Sequence, residues 1–237
     1  MSTRKPFRFK QFSVDDSKCA MKVGTDAVLM GAWADVSAAD SILDIGTGCG
    51  VIALMAAQRS KAHITAIDID EDATLQSKEN FASSPWHERL EAIHTAIQQY
   101  HPEHTFDLII CNPPFFKNAL KTPYLQRNLA RHNDTLSFGS LVYEVNRLLS
   151  ENGKFVFILP VAEAYEVIHM ASFRQLHLNR CCNVYSREDK FPNRILAELS
   201  RKEAVGSIEL FTIRDQNNQY TAEYKALTKD FYLFLTE

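Results

Sequence analysis

Apolar residues recur along the chain in two alternating rhythms, one of helical and one of strand period, and the alternation predicts a layered fold. Residues 25–33 read as a helix, with Val28, Leu29 and Ala32 on one face and Asp26 near its start. Residues 41–45 are a short apolar strand ending in a glycine turn, and 51–59 the helix that follows. The pattern repeats with a strand at 63–67, an acid-headed helix at 71–81 and a weaker strand at 90–95. A strongly apolar strand at 106–111 must stop at Asn112-Pro113-Pro114. Residues 117–134 are polar, carry arginine and lack periodicity, so they read as a long loop, which in compact domains is usually functional. Beyond it come a helix at 140–149, a buried strand at 153–159, a helix at 163–172, and strand-rich stretches at 178–186, 194–201, 207–213 and 231–235. Strands alternating with helices imply an α/β fold. Its sheet is mostly parallel, with helices on both faces and antiparallel strands to finish, and ligands bind outside the carboxyl ends of the strands.

The turn after the first of these strands reads Leu43-Asp44-Ile45-Gly46-Thr47-Gly48-Cys49-Gly50. Glycines at 46, 48 and 50 allow a tight turn and close approach of a ligand to the backbone. About twenty residues on, Asp68 ends the next strand, where a carboxylate accepts hydrogen bonds from ribose hydroxyls. A dinucleotide fingerprint spaces its glycines G-x-G-x-x-G to aim amides at a pyrophosphate. This loop reads G-x-G-x-G and follows an acid, Asp44, which suits a phosphate-free cation such as S-adenosylmethionine.

Asn112-Pro113-Pro114-Phe115 closes the strand expected beside the first. Two prolines remove two backbone donors and leave carbonyls free to accept. An adenine amino nitrogen is a poor nucleophile because its lone pair is delocalised into the ring. Hydrogen bonds from its two N–H groups to the Asn112 side-chain oxygen and the Pro113 carbonyl draw it toward tetrahedral geometry. They also aim the lone pair at a methyl carbon. Phe115 stacks the base.

Composition excludes more than it selects. With 46% hydrophobic and 23% charged residues among 237, the chain is of ordinary globular make-up, and the absence of internal repeats or linkers favours one domain over residues 1–237. No apolar run spans a bilayer and no secretory signal opens the chain, so a cytoplasmic protein with no membrane contact is expected. Five cysteines show no metal spacing and suit buried positions in a reducing compartment, and the histidines show none either, so no metal is expected. The net charge of −3 rules out a global polycation. The N-terminus is locally basic, with Arg4, Lys5, Arg8 and Lys10 interleaved with Phe7, Phe9 and Phe12. That pattern suits phosphate contact with base stacking and a disordered basic tail equally.

The two motifs together resemble class I methyltransferases that modify conjugated amino groups. With Phe9-Lys10-Gln11-Phe12, 21–26, Arg131-His132, 154–160, Phe191-Pro192-Asn193-Arg194 and 220–232, essentially the whole chain resembles the bacterial tRNA1(Val) (adenine(37)-N6)-methyltransferase family. The resemblance implies a Rossmann-like sheet of seven strands with an antiparallel C-terminal hairpin. It also implies S-adenosyl-L-methionine as cofactor and tRNA, tRNA1(Val) in particular, as the partner of a monomer. Residues 1–35 become an N-terminal extension over the cofactor and substrate site. Asp44, Gly46, Thr47, Gly48 and Gly50 border the methionine part, Asp68 and Ile69 the ribose, and Lys22, Thr25 and Asp26 cover the cofactor. Asn112 lies next to the cofactor as well. The acid that often follows the third strand is missing from His94-Thr95-Ala96-Ile97, leaving the cofactor's adenine to backbone around Ala96. Arg131, His132 and Arg194 join Arg4, Lys5, Arg8 and Lys10 as substrate contacts, with an exposed polar loop the alternative for the first pair. Phe191 and Pro192 read equally well as core.

Four rival readings share part of this pattern. Glutamine methylation of a protein uses the same Asn-Pro-Pro geometry, but the segment before Ser41 is short for the helical domain such enzymes carry. DNA adenine methylation calls for a target-recognition region that is not visible. A noncatalytic RNA-binding module would have lost Asn112, Pro113 and Pro114. A dehydrogenase is disfavoured by the glycine spacing.

Overall fold

The computed structural model describes residues 5–113 and 136–235. A small ribbon of β1 (Phe7–Arg8) and β2 (Ser13–Val14) precedes α1 (Thr25–Trp33). The chain then alternates through β3 (Ser41–Ile45), α2 (Val51–Arg59), β4 (His63–Asp68), α3 (Glu71–Ala82), β5 (Leu90–His94) and β6 (Phe106–Cys111). It continues with α4 (Phe138–Leu148), β7 (Leu149–Leu159), α5 (Val161–Ser172), β8 (His177–Tyr185), β9 (Pro192–Ser200), β10 (Ser207–Thr212) and α6 (Ala222–Thr228).

The large sheet has the order β10-β8-β9-β7-β6-β3-β4-β5. All its strands run parallel except β9, which is antiparallel to both β7 and β8 and forms the expected hairpin with β8. The central strands are buried on both faces, and the pleat sorts their side chains into two cores. Ile42, Leu108, Ile110, Val156 and Ile158 face α1 and α2, whereas Leu43, Ile45, Ile109, Phe155, Phe157 and Leu159 face α4 and α5. Helices on the two faces follow directly from strands that are apolar throughout.

Two expectations are corrected. The sheet has eight strands rather than seven, because Ser207–Thr212 pairs in parallel with β8 instead of extending the hairpin. That edge strand is anchored by Glu209, whose carboxylate accepts from Arg180 Nε at 2.7 Å and Trp33 Nε1 at 3.0 Å, while Arg180 also lies over the Trp33 ring. Residues 231–235 do not form a strand. Tyr232 makes a single antiparallel bridge to Phe9, and the aromatic run packs by its rings instead. An apolar alternation becomes a strand only where a ladder partner is available, and here the partner is a two-residue ribbon.

Smaller differences concern the ends of elements. The Ser137 hydroxyl accepts from the Ser140 N–H at 3.1 Å, so α4 begins at Phe138. The strand predicted from 153 starts at Leu149.

Candidate active site

Strand register brings the two motifs together. Ile45 lies opposite both Ile67 and Cys111, so Gly46, Asp68 and Asn112 leave the carboxyl ends of three adjacent strands at one level. With strands about 4.8 Å apart, Asn112 and Asp68 flank the glycine turn on either side.

The turn is held from below and open above. Gly46 N–H and Thr47 N–H both donate to the Ile67 carbonyl, at 2.8 and 3.1 Å, and Gly50 N–H donates to the Thr47 carbonyl at 2.9 Å. Gly46, Gly48 and Gly50 all have positive φ, at 69°, 57° and 80°, which side chains other than glycine rarely adopt. The three differ in what a side chain would meet. A Cβ at Gly46 or Gly48 finds nothing within 4 Å, whereas one at Gly50 falls 2.5 Å from Phe81 of α3. The first two therefore keep a cradle open, and the third lets two helices pack.

Two carboxylates frame the cradle. Asp44 is buried to 1% exposure; its Oδ2 accepts from Thr47 Oγ1 at 2.6 Å, and its Oδ1 has no hydrogen-bond partner among the described residues. Burial raises its pKa to about 7, opposed by the Thr47 hydroxyl and by the Ala53 backbone N–H, with the charge of Asp68 adding to the rise. Asp68 accepts from Gly48 N–H at 2.8 Å and from Asp70 N–H at 2.9 Å. Burial also raises its pKa, against those two hydrogen bonds. A cation arriving between these acids would favour their charged forms.

On the other flank, Asn112 Oδ1 is buried and has no partner among the described residues. A buried amide oxygen left unpaired costs about 1–3 kcal/mol, and this one is an acceptor available at the mouth of the cradle.

The remaining predicted residues are placed as follows. Ile69 presents its carbonyl to His94 Nε2 at 3.0 Å, and Ala96 precedes a short 3-10 turn, Ile97–Gln99, beyond β5. The Lys22 ammonium is spent on carbonyls of the segment before α1, those of Asp16 at 2.6 Å, Ser17 at 3.3 Å and Cys19 at 2.9 Å. Thr25 opens α1, and Asp26, one residue on, accepts from Arg194 Nε at 2.8 Å, so a predicted cofactor residue and a predicted substrate residue face each other. Lys10 donates from Nζ to the Leu235 carbonyl at 3.0 Å, and Lys5 and Arg8 are exposed. Arg4, Pro114, Phe115, Arg131 and His132 lie outside the described residues.

Base stacking by the N-terminal aromatics is corrected. Phe9 and Phe12 are buried and stacked on each other at 4.5 Å, Phe7 packs against Phe9 at 4.8 Å, and Phe9 lies 6.0 Å from Tyr232. They seat the N-terminal ribbon on the C-terminal residues. The basic residues between them stay outside because strand alternation turns them away.

Sequence reasoning missed Asn80. Its side chain accepts from Asp15 N–H at 2.9 Å and donates to the carbonyls of Asp15 and Cys49, both at 2.8 Å. One amide thus ties the segment before α1 to the glycine loop. Nothing in the sequence signals it, because the three groups are far apart along the chain.

Comparison with known proteins points one way. Residues 17–185 match the methyltransferase small domain. The tRNA1(Val) (adenine(37)-N6)-methyltransferase of Parabacteroides distasonis is 44% identical over 230 residues, covering 96% of this chain and 97% of that protein. The enzyme of the same name from Phocaeicola vulgatus is 46% identical over 228 residues, again covering 96% and 97%. Among solved structures, a predicted O-methyltransferase from Agrobacterium tumefaciens shares the fold with a TM-score of 0.67 at 16% identity, over 87% of this chain and 96% of that one. Among the described residues no helix is long and apolar enough to cross a membrane, and no cluster of three or more His, Cys, Asp or Glu could hold a metal.

Proposed function

The chain belongs to the tRNA1(Val) (adenine(37)-N6)-methyltransferase family and carries its methyltransferase small domain, and from that membership we propose that it methylates N6 of adenine 37 in tRNA1(Val) with S-adenosyl-L-methionine as donor. The observation that carries this reading is the unpaired, buried Asn112 Oδ1 beside an open glycine cradle. The cradle fits the cofactor, because space above Gly46 and Gly48 and the unsatisfied Asp44 Oδ1 suit a ligand with a positive charge and no phosphate. Asp44, Gly46, Thr47, Gly48 and Gly50 hold its methionine end, and Asp68 with Ile69 holds the ribose. Ala96 would border its adenine, and Lys22, Thr25 and Asp26 would help to hold it from the N-terminal segment.

When bound, the cofactor supplies an electrophilic methyl group on a sulfonium. Asn112 Oδ1 and the Pro113 carbonyl accept the two N6–H groups of the target adenine, which localises the nitrogen lone pair and points it toward the methyl carbon. Pro114 and Phe115 complete the adenine's place. The acceptors strengthen as positive charge develops on nitrogen, so they stabilise the transition state more than the ground state. After transfer the extra proton on nitrogen passes to solvent water, and no general base is needed before it. Arg4, Lys5, Arg8, Lys10, Arg131, His132 and Arg194 contact the RNA. The unit is one domain, with residues 1–35 an extension over the site, acting as a cytoplasmic monomer.

Radiolabelled S-adenosylmethionine and unmodified tRNA test this. Label recovered as N6-methyladenosine beside the anticodon of one valine tRNA is the expected result. Label in a release factor or in DNA instead would overturn the substrate.

A further inference from the structure

The β8–β9 hairpin turns at the same end of the sheet as Asn112, since β8 runs parallel to β7 and β6. Its tip carries Phe191, 91% exposed and thus no part of the core. A single exposed apolar side chain is ordinary on a protein surface. This one differs in its position and in how firmly its loop is held.

The loop is pinned by backbone. Glu188 N–H donates to the Arg214 carbonyl at 3.2 Å, Lys190 N–H to the Arg187 carbonyl at 3.0 Å, and Ile213 N–H to the Tyr185 carbonyl at 2.9 Å. Below it, Arg194 ties the start of β9 to Asp26 at the head of α1. The ring is therefore presented on a scaffold whose conformation is already set.

Its position follows from register. Cys111 pairs with Phe157, so Asn112 is level with Ile158, which pairs with Leu196. Phe191 precedes Leu196 by five positions on the far side of β7. That places it two strands across, about 10 Å, and about 16 Å above the level of Asn112. A nucleotide a few positions from an adenine held at Asn112 lies within that span. Anticodon-loop bases are unpaired and offer their faces to aromatic rings, the usual mode of single-strand recognition.

We propose that the β8–β9 tip is a further RNA-contacting element, on which Phe191 stacks a loop base a few positions from the methylated adenine. The proposal rests on the reading of this chain as a tRNA methyltransferase. It identifies a positioning residue remote from the transferred methyl group, which secures the adenine's neighbours while the adenine itself is turned into the site.

Four measurements on the full chain test it: methyl transfer to tRNA by wild type, Phe191→Ala and Phe191→Trp; cofactor affinity; melting temperature; and tRNA binding read by fluorescence. Alanine substitution of a stacking residue is worth about 1–3 kcal/mol, so Phe191→Ala should raise KM for tRNA by roughly 5- to 150-fold. Cofactor Kd and Tm should not move, because the side chain is in water. Phe191→Trp should restore KM, and tRNA should quench its added indole fluorescence. A Phe191→Ala enzyme with wild-type KM and kcat/KM for tRNA overturns the stacking role while leaving the tRNA reading intact. A wild-type enzyme that methylates no tRNA overturns both.

Discussion

The hydroxyl of Thr47 donates to Asp44 Oδ2 at 2.6 Å while Oδ1 of the same carboxylate stays buried without a partner among the described residues. The pair lies beneath the glycine turn, where the chain keeps half of an acid unsatisfied.

A pH dependence follows from it. With a pKa of about 7, Asp44 is largely protonated below neutrality, and only its charged form attracts a cationic cofactor. Affinity for S-adenosylmethionine should weaken about tenfold per pH unit as pH falls below about 7. Calorimetric titration from pH 5.5 to 8.5 measures this. Asp44→Asn should bind weakly at every pH, and a slope that survives in the variant would exclude Asp44 as its source.

The same carboxyl acts on stability with the opposite sense. Its folded pKa is raised above the unfolded value of 3.8, so between about pH 4 and 7 the folded chain holds a proton that the unfolded chain has lost. Stability of the cofactor-free protein should therefore fall as pH rises through that window, by about 1.4 kcal/mol per unit from this group at most. Denaturant unfolding of wild type beside Asp44→Asn isolates the contribution.

Asn112→Ala should lower kcat by about 10²- to 10³-fold, the range seen for loss of one preorganised electrostatic contact to a transition state. Cofactor Kd should stay within about twofold. Single-turnover rates with equilibrium binding separate the two, and a variant that loses the cofactor would place Asn112 in the wrong half of the site.

Alanine at Gly48 and at Gly50 should fail differently. Gly48→Ala meets open space and only the left-handed backbone penalty of about 1–2 kcal/mol, so its larger effect should be on cofactor affinity. Gly50→Ala adds a clash with Phe81 to the same penalty and should be the less stable protein. Thermal melts with and without cofactor compare them.

Asn80→Ala removes three hydrogen bonds between the segment before α1 and the glycine loop. Leaving the Asp15 and Cys49 groups unpaired should cost about 1–3 kcal/mol and speed protease cleavage between residues 5 and 24. Limited proteolysis followed by mass spectrometry reads the cut, and an unchanged N-terminal segment would count against the clasp.

Much of this protein was legible in one dimension. The strand and helix periods, Gly46-Thr47-Gly48-Cys49-Gly50, Asp68 and Asn112-Pro113 all act through neighbours close in sequence, or through strand ends that the doubly wound order brings side by side. Local sterics and alternation are properties of a few consecutive residues, so a string of letters contains them. What only the tertiary structure decided involves partners far apart along the chain. It made Phe9 and Phe12 core rather than stacking platforms by supplying Tyr232, and turned residues 231–235 into packing instead of a strand. It added β10 to the sheet edge through Glu209, set Arg194 against Asp26, and chose Asn80 as a clasp. It also left Phe191 in water, although the sequence read it equally well as core. The physical reason is the same throughout: whether an aromatic ring or a polar group is satisfied depends on which distant surface reaches it, and that is settled only when the sheet and its helices have assembled.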